Sequence, residues 1–221
     1  MGLKKENRQK FFARLSKLKQ SDRMDIELAY DIAKEAHRRF ARDEGTRYFE
    51  HLRDVALILI DECHITEPDI IISALLHDSI EDTPIVGNIL LKENIWRKTA
   101  RYRLKKIFDY RVADIVIALT KPRINGKRTS QKELNQKKKY STQILTAPPE
   151  AGIIKMADRL HNLRTLSGTK KEKQKRQIKE TREFLLPLFE KTAFGIYTRH
   201  ANMLRKKIIS KTKKMEKKIS A

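Results

Sequence analysis

Apolar positions along this chain recur mainly at three- and four-residue intervals, the period of one helix face. Phe11, Phe12, Leu15 and Leu18 form one such stripe, and Ile26, Leu28, Ala29, Ile32, Ala33 and Ala36 form another. The pattern predicts a helix from about Tyr48 to Cys63. It predicts a further one from about Ala100 to Leu119, carrying Leu104, Ile107, Phe108, Val112, Ile115 and Ile117. Between them "TEPD" has the form of a helix start, with Thr66 as N-cap, Pro68 in the first turn and Asp69 completing a capping box. Pro122 and Gly126 break the pattern in the basic loop "TKPRINGKRTS", and Ser130 with Glu133 then offers a second capping box. "APPE" opens a helix that runs to Leu166 and stops at Ser167-Gly168. A long basic helix follows, interrupted at Pro187, and then a Lys-rich, solvated C-terminus. No run sustains the two-residue alternation of a strand, so the expected fold is all-α.

Composition narrows the class. At 221 residues the chain is long enough for one sizeable core. A hydrophobic fraction of 39% is ordinary for a globular protein and excludes disorder as the default. The single cysteine, Cys63, excludes an internal disulfide and fits a reducing compartment. The N-terminal "MGLKKENRQK" is basic, but Arg14, Lys17 and Lys19 break the apolar block a signal peptide needs. Gly2 does not mark a myristoylation site, because Glu6 and Asn7 stand where Ser or Thr is required. The apolar run Val55 to Ile60 is too short to span a bilayer. The expectation is a soluble, cytoplasmic protein with no membrane partner.

With 50 basic and 28 acidic residues the formal charge is +22, which attracts polyanions. Basic residues crowd "KPRINGKRTSQKELNQKKK", "KKEKQKRQIK" and "LRKKIISKTKKMEKK", whereas His51 to Pro84 is acid-rich. Within that segment "ISALLHDSIEDTP" sets His77, Asp78, Glu81 and Asp82 at the end of an apolar helix. On a continuous helix His77 would lie over Glu81 and Asp78 over Asp82. Carboxylates this dense raise one another's pKa unless a cation sits among them, and a divalent metal is the economical answer. His51 in "GTRYFEHLRDVALIL" and Asp158 in "GIIKMADRLHNLRTL" add two donors on apolar helices. Lys155 and Asn162 share the Asp158 side, while His161 lies off that face and reads as structural. Taken alone, His51 also fits a packed core histidine, and Asp158 an ion pair with Arg159 or Arg164. Together, His51, His77, Asp78 and Asp158 would close on one ion from three helices.

The order His, His-Asp, Asp resembles the HD-domain metal-dependent phosphohydrolases. "LLHDSIEDT" and "KMADRLHNLRTL" narrow the resemblance to the hydrolase domain of the RelA/SpoT alarmone enzymes, over roughly Asp31 to Leu166. Nothing like that family's synthetase or regulatory domains follows, so the chain resembles a stand-alone small alarmone hydrolase of the stringent response. The resemblance implies a single-domain HD-type helical bundle over residues 1–200, with 201–221 as a Lys-rich helix or tail. It implies Mn²⁺ and cleavage of the 3′-pyrophosphate of (p)ppGpp to GDP or GTP. By matching position, His51, His77, Asp78 and Asp158 would hold the metal, and Glu81 and Asp82 would orient and deprotonate the attacking water. Arg42 and Asn162 would hold the nucleoside, and Lys155 would support the acids or the phosphates. Arg47, Leu52 and Asp43 depart from the family pattern on the base side, which leaves guanosine against adenosine open. Other substrates of the class are ppApp and NADPH. A rival reading is an HD scaffold that holds RNA or ribosomes on its basic surface. The resemblance also allows an oligomer and a cognate alarmone synthetase as partner.

Overall fold

The computed structural model describes residues 6–43, 45–86, 92–124, 127–128 and 134–220. The order is α1 (Arg8–Ala13), α2 (Gln20–Ala36), α3 (Tyr48–Leu57), α4 (Pro68–Leu76), α5 (Ser79–Asp82), α6 (Glu93–Ile107) and α7 (Tyr110–Leu119), then β1 (Arg123–Ile124) and β2 (Lys127–Arg128). It continues with α8 (Leu134–Leu145), α9 (Pro149–Thr165), α10 (Lys171–Glu180), α11 (Leu186–Lys191) and α12 (Thr198–Ser220). The all-α expectation holds; β1 and β2 pair over two residues only, Arg123 with Arg128 and Ile124 with Lys127. The proposed Ser130–Glu133 capping box lies outside the described residues.

Two helices organise the rest. Every residue of α4 from Ile70 to Leu76 is buried. With Ser73 the one polar residue in that run, α4 has no face to give to water and is enclosed by α2, α3, α7 and α9. The second, α9, is buried from Glu150 to His161 and packs on α3, α7 and α12. Its charged residues find partners rather than solvent: Lys155 pairs with Asp158, Arg159 with Glu180, and Glu150 with Arg111. Gly152 is where α9 meets the segment before α12; a Cβ there would stand 2.9 Å from the Phe194 ring.

Several boundaries differ from the periodic reading. The helix expected from Ala100 to Leu119 is two, because Asp109 caps α7 by accepting from the Val112 amide at 2.8 Å. At the other end of α7, Arg97 donates to the Ile117 and Thr120 carbonyls and Gln143 to those of Ala118 and Thr120. The N-cap of α4 is Glu67, not Thr66: the Glu67 carboxylate accepts from the Thr66 amide, and Asp69 turns to Arg111 instead of closing a capping box. The α-helical ladder is interrupted just ahead of Pro187, where Thr181–Leu185 form a π turn, and the backbone stays helical into α11 and ends after Lys191. On the N-terminal stripe α1 ends at Ala13, and Leu15 reaches the core from the turns that follow.

The solvated C-terminus is corrected most. Helix α12 buries Ala201, Leu204, Ile208 and Met215 against the bundle. Burying Leu204 and Ile208 is worth roughly 2 kcal/mol each. A part-exposed ion pair is worth less than about 1 kcal/mol, so packing rather than charge holds this basic helix down. One ion pair still locates it: Glu62, in the π turn after α3, accepts from Arg164 of α9 and from Lys207 of α12. The Arg164 hydrogen bond, against the cost of partial burial, pulls the Glu62 carboxyl from its ordinary 4.5 down to about 2. Its contribution to stability is therefore complete above pH 4.5 and lost as pH falls towards 2. Discounted for screening, Glu62→Gln should lower stability at pH 7 by about 1 to 2 kcal/mol. It should also flatten the fall of the thermal midpoint between pH 4.5 and 2, read by circular dichroism.

Candidate metal centre

The helix that ends in His77 and Asp78 does not continue. His77 is the last residue of α4 to keep helical backbone angles, and Asp78 (φ −102°, ψ −5°) begins a new turn as the N-cap of α5. Asp78 and Asp82 stay one turn apart, since the Asp82 amide bonds the Asp78 carbonyl at 3.0 Å. The turn between α4 and α5, however, sets His77 off the helix that carries Glu81. It turns His77 and Asp78 together towards α3 and α9. His51 reaches the same point from α3 and Asp158 from α9. His51 Nε2 lies 3.3 Å from Asp158 Oδ1 and 3.8 Å from Asp78 Oδ2. His77 Nε2 lies 3.2 Å from Asp78 Oδ2 and 3.9 Å from Asp158 Oδ1. One ligand atom each from His51, His77 and Asp78 falls within 4.8 Å of the others, and Asp158 stands beside the two imidazoles, outside that group of three.

A cavity of about 300 Å³ opens beside this cluster, with His51, Asp78 and Asp158 in its wall. Glu81 also lines it, buried, with Oε1 accepting from the Lys121 amide at 2.5 Å. Asp82 is half-buried and is not among the lining residues. Arg42, Lys155 and Asn162 line the cavity as well. Lys155 donates to Asp158 Oδ2 at 2.7 Å and Asn162 to Asp158 Oδ1 at 2.5 Å, while Arg42 donates to the Asn162 side-chain oxygen at 2.9 Å. The loop that carries Arg42 closes through Gly45, whose φ of +83° only glycine adopts without strain. Arg42, Lys121, Lys173 and Arg176 make the rim basic over an acidic floor.

The electrostatics are those of a site short of a cation. Burial opposes ionisation of Asp78 and Asp158, yet His77 holds Asp78, and Lys155 and His51 hold Asp158, well below the usual carboxylate range. Burial drops His51 to about 4. It works against His77 too, but the Asp78 and Asp158 carboxylates raise that imidazole to about 9. One proton on His77 thus balances the carboxylates. The His77 ring is already oriented for a metal: Nδ1 bonds the Ala74 carbonyl at 2.8 Å, and buried Nε2 has no hydrogen-bond partner. Two imidazole nitrogens and two carboxylates fit a divalent cation.

Three participants carried no signal strong enough in sequence. Tyr48 donates its hydroxyl to Asp78 Oδ2 at 2.7 Å, the Lys121 amide holds Glu81, and His161 Nδ1 meets His51 Nδ1 at 2.9 Å. His161 is therefore not the detached structural residue its helix position suggests. Of the three departures on the base side, Arg47 is exposed and pairs with Glu50, and Leu52 is fully buried in the core. Only Asp43 lines the cavity.

A helical bundle that closes two imidazoles and two carboxylates on one point defines an all-α, metal-binding class of protein. This chain belongs to the HD-domain family, whose pattern matches residues 29–192. HD domains are metal-dependent. Among curated proteins the chain is 35% identical over 166 residues to the guanosine-3′,5′-bis(diphosphate) 3′-pyrophosphohydrolase of Aquifex aeolicus, covering 74% of this chain and 21% of that protein. It is 34% identical over 157 residues to the Haemophilus influenzae protein of the same name, covering 71% and 21%. The bifunctional (p)ppGpp synthase/hydrolase SpoT of Escherichia coli is 31% identical over 163 residues, covering 72% and 20%. The chain thus spans about a fifth of the length of these relatives. Among solved structures, a metazoan ortholog of SpoT that hydrolyzes ppGpp superimposes with a TM-score of 0.63 at 22% identity, over 86% of this chain and 94% of that one. At that identity the likeness speaks for the fold.

Because a divalent cation takes the place of the His77 proton, its uptake at pH 7 should release about one proton. Affinity should rise with pH up to about 9. Calorimetric titration in two buffers of different ionisation enthalpy measures the proton directly; metal uptake with no proton release would contradict this charge balance.

Proposed function

We propose that this chain is a metal-dependent phosphohydrolase that removes the 3′-pyrophosphate of (p)ppGpp, giving GDP or GTP and pyrophosphate. The observation that carries the reading is the buried cluster of His51, His77, Asp78 and Asp158 with Glu81 in the wall of the adjoining, basic-rimmed cavity. The (p)ppGpp 3′-pyrophosphohydrolases among the relatives support the same substrate class.

Mn²⁺ is the cation we assign, on a mixed nitrogen and oxygen donor set; when bound it lowers the pKa of a coordinated water and polarises a phosphoryl oxygen. Glu81, in the cavity wall, takes the proton of the attacking water, and Asp82, one residue on along α5 and outside that wall, supports it from behind. Lys155 keeps Asp158 ionised, and Tyr48 fixes the rotamer of Asp78. Arg42 and Asn162, already hydrogen-bonded to each other, hold the nucleoside, and the basic rim draws in a highly anionic nucleotide. The setting is the cytoplasm, with an alarmone synthetase as the opposing activity.

A second reading rests on α12, whose exposed Lys206, Lys213, Lys214 and Lys217 form one stripe opposite its buried face. RNA held there would dissociate steeply with salt.

The test is turnover of ppGpp, pppGpp, ppApp and NADPH with Mn²⁺, products separated by ion exchange. Pyrophosphate release should vanish with EDTA. Glu81→Gln should lower kcat about 10² to 10⁴-fold with metal uptake unchanged, and Asp78→Ala should lose both. All four nucleotides left intact, or a His77→Ala variant as active as wild type, would sink the reading.

A further inference from the structure

The His51 imidazole has two nitrogens with different tasks. Nε2 faces the cluster, 3.3 Å from Asp158 Oδ1, and Nδ1 faces away, 2.9 Å from His161 Nδ1. Two ring nitrogens at that distance share one proton, so one ring donates and the other accepts. The far side of His161 settles which. His161 Nε2 lies 3.4 Å from Asp54 Oδ2, and a carboxylate only accepts. His161 therefore carries its proton on Nε2, leaving Nδ1 as an acceptor. His51 then donates from Nδ1, and its Nε2 presents a lone pair to the cluster. The opposite arrangement would set the His161 Nε2 lone pair against the Asp54 carboxylate.

Both residues come from the helices that carry the cluster. Asp54 lies one turn beyond His51 on α3, and His161 one turn beyond Asp158 on α9, so the α3–α9 packing that brings His51 to Asp158 also brings His161 to His51. His51 and His161 are both buried, which keeps water from the contact between the two rings. Lacking a metal, Asp158 Oδ1 favours a proton on His51 Nε2, the form no metal can use. Asp54 pulls the other way through His161.

We infer that His161 and Asp54 are positioning residues, a carboxylate–imidazole relay that holds His51 in the tautomer able to ligate a divalent cation. His77 needs no such device, because the Ala74 carbonyl fixes its tautomer directly. The inference rests on the metal-site reading above, and its test reads binding, not turnover.

Mn²⁺ affinity is measured by calorimetry for wild type, Asp54→Asn, Asp54→Ala, His161→Phe and His161→Asn, with circular dichroism as the folding control. Asp54→Asn can donate as well as accept at His161 Nε2 and so removes the bias that sets the relay; it should weaken Mn²⁺ about 10-fold, as should Asp54→Ala. His161→Phe keeps the volume and loses the acceptor, and should weaken binding similarly. His161→Asn places an oxygen near Nδ1 and should bind more tightly than His161→Phe. A residue that merely packs would give the reverse order, since Asn leaves a void. In the Zn²⁺-loaded wild type, ¹⁵N-edited spectra should show His161 protonated on Nε2. Protonation on Nδ1 there overturns the relay, as do Asp54→Asn and His161→Phe binding within twofold of wild type. If His161→Phe does not fold, Asp54→Asn at its half-exposed position carries the comparison. Wild type that takes up neither Mn²⁺ nor Zn²⁺ would overturn the metal reading itself.

Discussion

Two carboxylates, Asp78 and Asp158, lie where α3, α4 and α9 meet inside the bundle, and an unpaired buried charge costs several kcal/mol. The rest of the site follows from meeting that cost. Asp158 is held on both oxygens from its own helix, by Lys155 on one and Asn162 on the other. Asp78 receives the Tyr48 hydroxyl and the nearby His77 ring. The α4 helix ends at Leu76, and the turn that follows sets His77 and Asp78 beside His51 of α3 and Asp158 of α9. Partner supply also explains why α9, the most enclosed helix, is the one richest in buried charge.

Both signs of charge meet at the cavity. The acids that matter lie in the wall of the cavity, and Arg42, Lys121, Lys173 and Arg176 line it with positive charge. Helix α12 shows how a segment with so many lysines still folds onto the bundle. Its apolar residues follow the helical period on one side and its lysines gather on the other. The Lys-rich end of the sequence reads as polar because composition averages over both faces.

Legibility followed the range of the physics. Helices α2, α3 and α9 were visible because a 3.6-residue period is local, and the four cluster residues because an acid in an apolar run demands a reason. The α6/α7 break was not visible: Phe108 continues the apolar stripe, and only the Asp109 cap ends it. The bend at His77–Asp78 was hidden for the same reason, since stacking at i and i+4 holds only where the axis continues. His161, Tyr48 and Lys121 were beyond reach of sequence pattern because each acts through a tertiary contact. His161 was judged by its angle to Asp158 on one helix, whereas its partner, His51, is on another.

The base-side departures show how a contact map reweights a sequence comparison. Arg47 and Leu52 looked equivalent to Asp43 as differences from the family pattern. Leu52 is core and Arg47 faces solvent, so neither can touch a nucleotide in the cavity. Asp43 does line it, and it bonds Lys173 of α10 at 2.8 Å across the mouth. That lysine holds the Asp43 carboxyl below its ordinary range, so the pair stays ionised at neutral pH. An exposed ion pair contributes little to stability. Under the proposed function, what it would change is the charge a base meets beside Arg42: an acceptor and a tethered ammonium at one pocket. Discrimination between guanine and adenine depends on donors and acceptors at the base edge, so Asp43 is the departure with the chemistry to influence it.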